Sequence, residues 1–220
     1  MKRIIADIQQ GLMEGDAQLV KEKTEQALTY GIKADNIIQE GLMPAMKIIG
    51  SKFRDGELFI PDVLMSSRAM HASLYVLRPL LASSKLASKG TVVVGTVAGD
   101  LHDIGKNMVT MMLEGAGYNV IDLGIDVPVK EFVQAVRTHK PDVLAMSALL
   151  TTTLDELRDV INQLKEEGLR YQVKILVGGG PVTPEFAMAI EADAYAGDSF
   201  HAVEATNRLI TGEVGFFVVS

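Results

Sequence analysis

The stretch GDLHDIGKN, residues 99–107, crowds one histidine, two aspartates, two glycines and a lysine into nine residues. Asp100 and His102 are two residues apart, so in an extended loop their side chains point to the same side. A carboxylate in that position can accept a hydrogen bond from one imidazole nitrogen, which fixes the tautomer and raises the basicity of the other nitrogen. Such a pair can serve a nucleophile or a metal ion.

A phosphate-binding loop is a poor match to this stretch. That motif has four residues between its first glycine and the Gly-Lys pair, followed by a Ser or Thr that binds magnesium. Here five residues separate Gly99 from Gly105, and Lys106 is followed by Asn107. Asp100 would also repel a phosphate group. The sequence therefore disfavours a phosphate site.

A metal ion held by side chains alone is a second interpretation, and it stays open. Catalytic zinc normally takes three protein ligands, usually including more than one histidine. The other histidines, His71, His139 and His201, have no paired spacing to His102, and the chain has no cysteine. No serine–glycine elbow accompanies the pair, so hydrolase chemistry has little support. A loop histidine without a special role is the remaining interpretation.

The stretch GDLHDIGKN lies within residues 91–220, which carry strand and helix patterns in alternation. Five β-rich runs alternate there with helical patterns: TVVVGTVA, YNVIDLG, DVLAMSAL, VKILVGGG and ADAYAGD. This alternation predicts the α/β class and a doubly wound, parallel, five-stranded sheet of flavodoxin-like (Rossmann-like) order. Ligands of such sheets bind beyond the carboxyl ends of the strands. The predicted site is therefore formed by the loops AGDLHDIG, SALLTTT and GGGPVT.

The first part of the chain, residues 1–86, carries helical periodicity and almost no strand signal. Four amphipathic stretches with short connections predict a small antiparallel four-helix bundle. The polar segment SKLASKG, residues 84–90, is the predicted linker between this bundle and the α/β domain. The C-terminal GFFVVS, residues 215–220, is apolar, and a sixth edge element, a packing tail and a contact surface are all compatible with it.

The composition excludes several classes of function. A net charge of −7 and a pI of about 5.1 argue against nonspecific nucleic-acid binding, which needs a basic surface. The absence of cysteine removes disulfides and thiolate zinc sites. No apolar run approaches the ~18 residues of a membrane span, and the N-terminal residues lack the apolar stretch of a signal peptide. We expect a cytoplasmic protein with no nucleic-acid or membrane partner.

Three short motifs resemble those of cobalamin-binding domains. DLHDIG at 100–105 matches their D-x-H-x-x-G motif, SAL at 147–149 matches their S-x-L element, and GGG at 178–180 matches their glycine pair. The stretch GSKFRDGELFIPDVLMSSRAM is similar to the helical cap of cobalamin-dependent methionine synthase. The resemblance covers almost the whole chain. It is strongest to the corrinoid methyl-carrier subunits of anaerobic methyltransferase systems, which contain only these two modules.

The resemblance implies a role for each motif residue. His102 is implied to be the lower axial ligand of cobalt in a base-off, His-on corrinoid, with Asp100 as its hydrogen-bond partner. Thr153 takes the place of a serine that extends this relay in methionine synthase, although a helix N-cap is an equal alternative. The other residues implied to contact the cofactor are Asp103, Ile104, Gly105, Ser147, Leu149, Thr151, Gly178, Gly179 and Gly180. Phe53 and Ile60 match the apolar cap over the upper face of cobalt, with ordinary bundle core as the alternative.

The function implied by the resemblance is that of a methyl carrier rather than a self-sufficient enzyme. Cobalamin would cycle between Co(I) and methyl-Co(III), the latter being methylcobalamin. The implied partners are a substrate-specific corrinoid methyltransferase, a methylcorrinoid:acceptor methyltransferase using tetrahydrofolate or a thiol, and a reductive activase. Two alternatives remain, namely a cobalamin-dependent sensor or regulator and the corrinoid-binding subunit of a radical mutase.

Overall fold

The computed structural model describes residues 2–83, 88–212 and 215–219. The chain divides into two compact units, Met1–Ala87 and Ser88–Ser220. The predicted linker, residues 84–90, falls partly outside the described residues.

The first unit is helical, as its periodicity predicts. Its elements are α1 (Lys2–Glu14), α2 (Ala17–Thr29), α3 (Ala34–Asn36), a π-helical segment (Ile37–Leu42), α4 (Met43–Arg54) and α5 (Ile60–Ser83). Pro44 lies at the start of α4, where it cannot donate a backbone hydrogen bond, and the wider π turns directly precede it. The apolar stripe of each helix supplies the core, with Ile8, Leu12 and Ile49 fully buried. No helix in the described ranges is both long and apolar enough to span a membrane.

The second unit alternates strands and helices. Its elements are β1 (Thr91–Thr96), α6 (Ile104–Gly115), β2 (Asn119–Asp122), α7 (Val129–His139), β3 (Val143–Ser147), α8 (Leu154–Glu166), β4 (Lys174–Gly178), α9 (Pro184–Ala189), β5 (Ala194–Ala196), α10 (Ser199–Ile210) and β6 (Phe217–Val219). Two 3-10 turns, Thr151–Thr153 and Arg170–Gln172, precede α8 and β4.

All strand pairs of this sheet are parallel, and the strand order is β2-β1-β3-β4-β5-β6. The chain moves from β1 to β2 in one direction and then returns to place β3 on the other side of β1. This reversal is the topological switch point of a doubly wound sheet. The predicted fold class, a helical unit followed by a flavodoxin-like sheet, is confirmed.

The predicted count of five strands is one too low. Residues 217–219 form a sixth strand, β6, which pairs with β5 from Ala194↔Phe217 to Ala196↔Val219. The guanidinium carbon of Arg208 also lies 4.1 Å from the ring centroid of Phe217. An isolated apolar run of this length is compatible with several structures, and only the available edge of β5 makes it a strand.

One face of the sheet packs in the apolar core and the other lines a cavity. Alternate strand residues such as Val93, Leu144 and Ile175 pack with α7, α8 and α9 in a continuous apolar core in which Phe132 is fully buried. The opposite set, including Val94, Ala145 and Leu176, faces α6 and α10 and lines a cavity instead. The two-residue period of a strand therefore assigns one face to the core and the other to a site.

Candidate functional site

The three predicted loops meet at one edge of the sheet. Beyond the strand ends, Val97 N–H donates to the Ser147 carbonyl at 3.1 Å, and Ala148 N–H donates to the Gly178 carbonyl at 3.2 Å. These bonds continue the parallel ladder for one residue past β1 and β3. They hold the loop that contains His102 beside the loops after β3 and β4.

Asp100 and His102 form the pair that their spacing predicts. The Asp100 Oδ1 atom lies 2.7 Å from His102 Nδ1 and also accepts a hydrogen bond from the His102 backbone N–H at 3.1 Å. Asp100 is fully buried, whereas the His102 side chain is 50% exposed. Because an ionised carboxylate only accepts, Nδ1 carries the proton and Nε2 is the nitrogen left for a ligand.

The second carboxylate oxygen of Asp100 is held by the loop after β3. Oδ2 accepts from the backbone N–H groups of Leu149 at 2.6 Å and Leu150 at 3.1 Å, and from the Thr153 hydroxyl at 3.0 Å. Burial acts to raise the pKa of Asp100, but the hydrogen bonds from Leu149, His102 and Thr153 outweigh it and lower the pKa to about 2. The carboxylate therefore stays ionised and keeps the proton on Nδ1.

Thr153 is buried at the N-cap position of α8, yet its hydroxyl makes no capping bond to that helix. The oxygen lies 3.0 Å from both Asp100 Oδ2 and the Leu150 carbonyl oxygen. The capping bond is thus absent and the hydroxyl lies within hydrogen-bond distance of the Asp100 carboxylate, while a part for Thr153 in a cofactor relay stays a prediction. The β-branched side chain is compatible with that contact.

A cavity of about 210 Å³ opens between the sheet, α6 and α10. Several predicted site residues line it: His102, Gly105, Ser147, Leu149, Gly178, Gly179 and Gly180. Apolar side chains, among them Val94, Val109 and Leu176, form much of the remaining wall. An apolar cleft with a few polar groups at its mouth is the usual form of a small-molecule site.

The glycines of this wall are required for different reasons. A Cβ on Gly179, whose φ is +124°, would lie 1.9 Å from the Ala148 carbonyl oxygen, and one on Gly178 would lie 2.8 Å from the Ala196 carbonyl oxygen. The fold itself therefore excludes a side chain at these two positions. A Cβ on Gly105 would meet no atom within 4 Å beyond its chain neighbours and the adjacent backbone of α6. The space beside Gly105 is consequently free for a bound group.

Other predicted residues lie outside the cavity wall that the described residues form. Asp103 is exposed and accepts from Asn107 Nδ2 at 3.1 Å, and Ile104 and Thr151 are also exposed. Phe53 is half-buried in the last turn of α4, in the first unit. Ile60 begins α5, and its side chain lies outside the described part of the chain. Their contacts with a cofactor stay predictions.

The sequence assigned no definite role to Lys106, which the structure buries in the cavity wall. Its Nζ atom donates to Asp122 Oδ2 at 2.6 Å and to Asn107 Oδ1 at 2.7 Å. Thr96, also buried, donates from its hydroxyl to the His102 carbonyl at 3.0 Å. No local pattern marks Asp122, because its contact with Lys106 depends on β2 lying beside β1, whereas Thr96 contacts a residue only six positions away in the loop after its own strand.

No group of three or more His, Asp or Glu side chains is arranged to hold a metal ion within residues 2–83, 88–212 and 215–219. In that part of the chain, His102 presents a single imidazole beside an apolar cavity. One imidazole suffices for a metal whose remaining ligands come with an organic ring, as in haem proteins.

Two family models, each described as a B12 binding domain, match the chain. One matches residues 90–206 and the other residues 4–78. The first includes the Asp100–His102 pair and most of the cavity wall. The second spans most of the helical unit.

Named relatives cover nearly the full length of the chain. A corrinoid protein of Desulfitobacterium hafniense is 39% identical over 210 residues, which are 94% of this chain and 97% of that protein. The trimethylamine corrinoid protein of Methanosarcina barkeri is 43% identical over 204 residues, 92% and 94% of the respective chains. A chain in the crystal structure of the methanol:cobalamin methyltransferase complex of Methanosarcina barkeri superposes with a TM-score of 0.83 at 33% identity, covering 97% of this chain and 81% of that one.

Proposed function

We propose that this chain, which belongs to the family of corrinoid proteins with B12 binding domains, carries a methyl group on a bound cobalamin between two methyltransferases. The observation that supports this best is the Asp100–His102 pair, in which a buried carboxylate orients a half-exposed imidazole at an apolar cavity. A pair of this kind supplies one well-oriented nitrogen and no ready nucleophile.

The residues present fit a corrinoid. His102 would bind the cobalt through Nε2, since Nδ1 is engaged with Asp100. The open space beside Gly105 and the apolar wall between α6 and α10 suit the displaced nucleotide tail, and Ser147 offers it a hydroxyl. When bound, a corrin supplies four nitrogen ligands and a cobalt centre that can accept and release a methyl group.

The chain's own contribution is to hold His102 in one tautomer and one orientation. The amides of Leu149 and Leu150 and the Thr153 hydroxyl stabilise the Asp100 carboxylate as an anion. The anion in turn keeps a proton on Nδ1, so Nε2 is the nitrogen that would bind a metal. His102, held in this way, would offer the metal one nitrogen in a fixed orientation.

The partners follow from the same function. We propose a substrate-specific corrinoid methyltransferase as methyl donor, a methylcorrinoid:acceptor methyltransferase as recipient, and a reductive activase. Support comes from the relatives, one of which is a trimethylamine corrinoid protein and another part of a methanol:cobalamin methyltransferase complex. Phe53 and Ile60 are proposed to shield the methyl group between encounters with the two methyltransferases.

The axial assignment is tested by replacing the histidine. His102→Ala, reconstituted with cobalamin and reduced to the Co(II) state, should lose the nitrogen splitting that an axial histidine produces in the electron paramagnetic resonance spectrum. His139→Ala is the matched control, because His139 is exposed at the end of α7. An unchanged spectrum in His102→Ala would refute the assignment.

The methyl-carrier function is tested with the loaded full-length protein. Methylcobalamin-loaded protein should lose its methyl group to a thiol or tetrahydrofolate only when an acceptor methyltransferase is added, whereas adenosylcobalamin-loaded protein should not react. Consumption of the adenosyl form by a radical enzyme, with no methyl transfer, would favour the mutase alternative.

A further inference from the structure

We propose that the end of β2 and the loop after it, residues 122–127, act as a clamp on the loop that carries His102, and that Asp126 is the main positioning residue of this clamp. This inference rests on the proposed function, because it concerns the orientation of His102 as a ligand. The segment to be held, residues 101–103, has no regular secondary structure of its own. Its position must therefore come from contacts with neighbouring loops.

Asp126 contacts two successive residues of the histidine loop. Its Oδ1 atom accepts from the Gly99 N–H at 2.7 Å, and its own N–H donates to the Asp100 carbonyl at 3.0 Å. A side chain and a main chain from one residue thus hold the backbone directly before His102. A hydrogen bond to an ionised carboxylate is stronger than one between neutral groups.

The backbone of Asp126 is adapted to this contact. Its φ is +53°, in the left-handed region that glycine, asparagine and aspartate tolerate best. Such a conformation persists only where the surroundings enforce it. Here Thr96 N–H donates to the Gly124 carbonyl and Val127 N–H donates to the Thr96 carbonyl, both at 3.0 Å, so the clamp is bonded to the end of β1 on both sides of Asp126.

A second contact lies on the other side of His102. The buried Lys106 ammonium pairs with Asp122 Oδ2 at 2.6 Å, and Asp122 Oδ1 accepts from the Gly124 N–H at 2.9 Å. Because the Lys106 side chain is only 2% exposed, water screens this pair weakly from the lysine side. The clamp therefore holds the first turn of α6 as well as the residues before His102.

Strands β2 and β3 lie on opposite sides of β1, and the clamp at the end of β2 and the loop after β3 both contact Asp100. The clamp holds the Asp100 main chain, whereas Leu149, Leu150 and Thr153 hold its carboxylate. The Asp100–His102 hydrogen bond can form without the clamp, but the ring would then be free to move with its backbone. We expect loss of the clamp to weaken axial ligation without preventing folding.

The test compares two substitutions of Asp126. Asp126→Gly removes the carboxylate and permits positive φ, while Asp126→Asn keeps both an acceptor oxygen and tolerance of positive φ. The measured quantity is the ratio of histidine-ligated to unligated cobalt, read from the nitrogen splitting of the cobalamin-loaded protein in the Co(II) state. This ratio should fall about tenfold or more in Asp126→Gly and stay within about threefold of wild type in Asp126→Asn. Amide hydrogen exchange at Gly99 in the cofactor-free protein should accelerate by a similar factor in the glycine variant alone.

Lys140→Gly is the matched control. Lys140 also has positive φ, +46°, but it follows α7 at the amino end of β3, away from the site. A glycine there should leave the ligation ratio unchanged. If Asp126→Gly does not fold, Lys106→Met tests the second contact. Asp122 is partly exposed, so water can solvate its carboxylate when the ammonium is removed, and the ratio of histidine-ligated to unligated cobalt should fall.

The outcomes separate the two proposals. A wild-type protein that binds no cobalamin, or binds it without nitrogen splitting, contradicts the proposed function. A normally ligated wild type with an unchanged ratio in Asp126→Gly, or in its substitute Lys106→Met, overturns the clamp alone.

Discussion

At the scale of single residues, the site depends on what each side chain, or its absence, permits. Asp100 stays ionised although it is buried, because five hydrogen-bond donors converge on its carboxylate: two from His102, the amides of Leu149 and Leu150, and the Thr153 hydroxyl. An anion so satisfied gives His102 a single tautomer without help from solvent. The glycines serve the site in two different ways, and substitution separates them.

Alanine at Gly179 and at Gly105 should have opposite effects on stability. Gly179→Ala places a Cβ against the Ala148 carbonyl oxygen at positive φ, so it should lower the free energy of unfolding by about 3 kcal/mol or more. Gly105→Ala adds a methyl group that meets no atom beyond its chain neighbours and the adjacent backbone of α6, so it should raise that free energy by about 0.5–1 kcal/mol. Urea unfolding of the cofactor-free proteins measures both.

Cobalamin binding provides the second part of this prediction. Gly105→Ala should weaken binding about tenfold or more, despite its stability, because its methyl group occupies space that the proposed function reserves for the cofactor. Binding can be followed by the change in cobalamin absorbance during titration. An alanine variant that is more stable and binds normally would show that this space is not used.

At the scale of elements, the loops at the strand ends hold the site residues, and helices α6 and α10 line the cavity. Tyr118, which follows α6, donates its hydroxyl to Asn207 Oδ1 of α10 at 2.6 Å and so ties these helices together. Burial raises the pKa of Tyr118 to about 12. The ordinary value for an unfolded tyrosine is about 10.

Alkaline pH should destabilise the protein through this tyrosine. The unfolded chain loses the Tyr118 proton above pH ~10, whereas the folded chain keeps it until pH ~12, so the free energy of unfolding falls as pH rises through this interval. Absorbance at the phenolate band should show one tyrosine that titrates last, and Tyr118→Phe should remove it. If the last titration step of the phenolate absorbance persists in Tyr118→Phe, that step belongs to another tyrosine.

At the scale of the whole molecule, the chain consists of two units, each with its own buried core. The Asp100–His102 pair, the cavity and the clamp all belong to the second unit. Helical and sheet units of this kind pack their own apolar faces internally, so each satisfies the requirement for independent folding.

A fragment of residues 88–220 should therefore fold alone. We expect a cooperative thermal transition by circular dichroism and cobalamin binding with the same nitrogen splitting as the full chain. If Phe53 and Ile60 shield the cofactor, the reduced fragment should also oxidise faster than the reduced full-length protein. A fragment without a cooperative transition would contradict the independence of the second unit.

Much of this molecule follows from local patterns in the sequence. Alternating β-rich runs and helical periodicity determine the fold class, and parallel strands bring the ends of β1, β3 and β4 to one edge. The spacing of Asp100 and His102 determines that they can pair, because residues two apart in an extended loop share a side. Each of these inferences depends on residues close together in the chain.

Contacts that join distant segments of the chain depend on the tertiary structure. Thr153 reaches Asp100 across 53 positions in the chain, and Asp126 reaches Gly99 across 27. The sixth strand, the backbone approach that requires glycine at 179, and the ion pair of Lys106 are of the same kind. Strand order and register determine these contacts, and both result from packing of the complete sheet, which no local periodicity encodes.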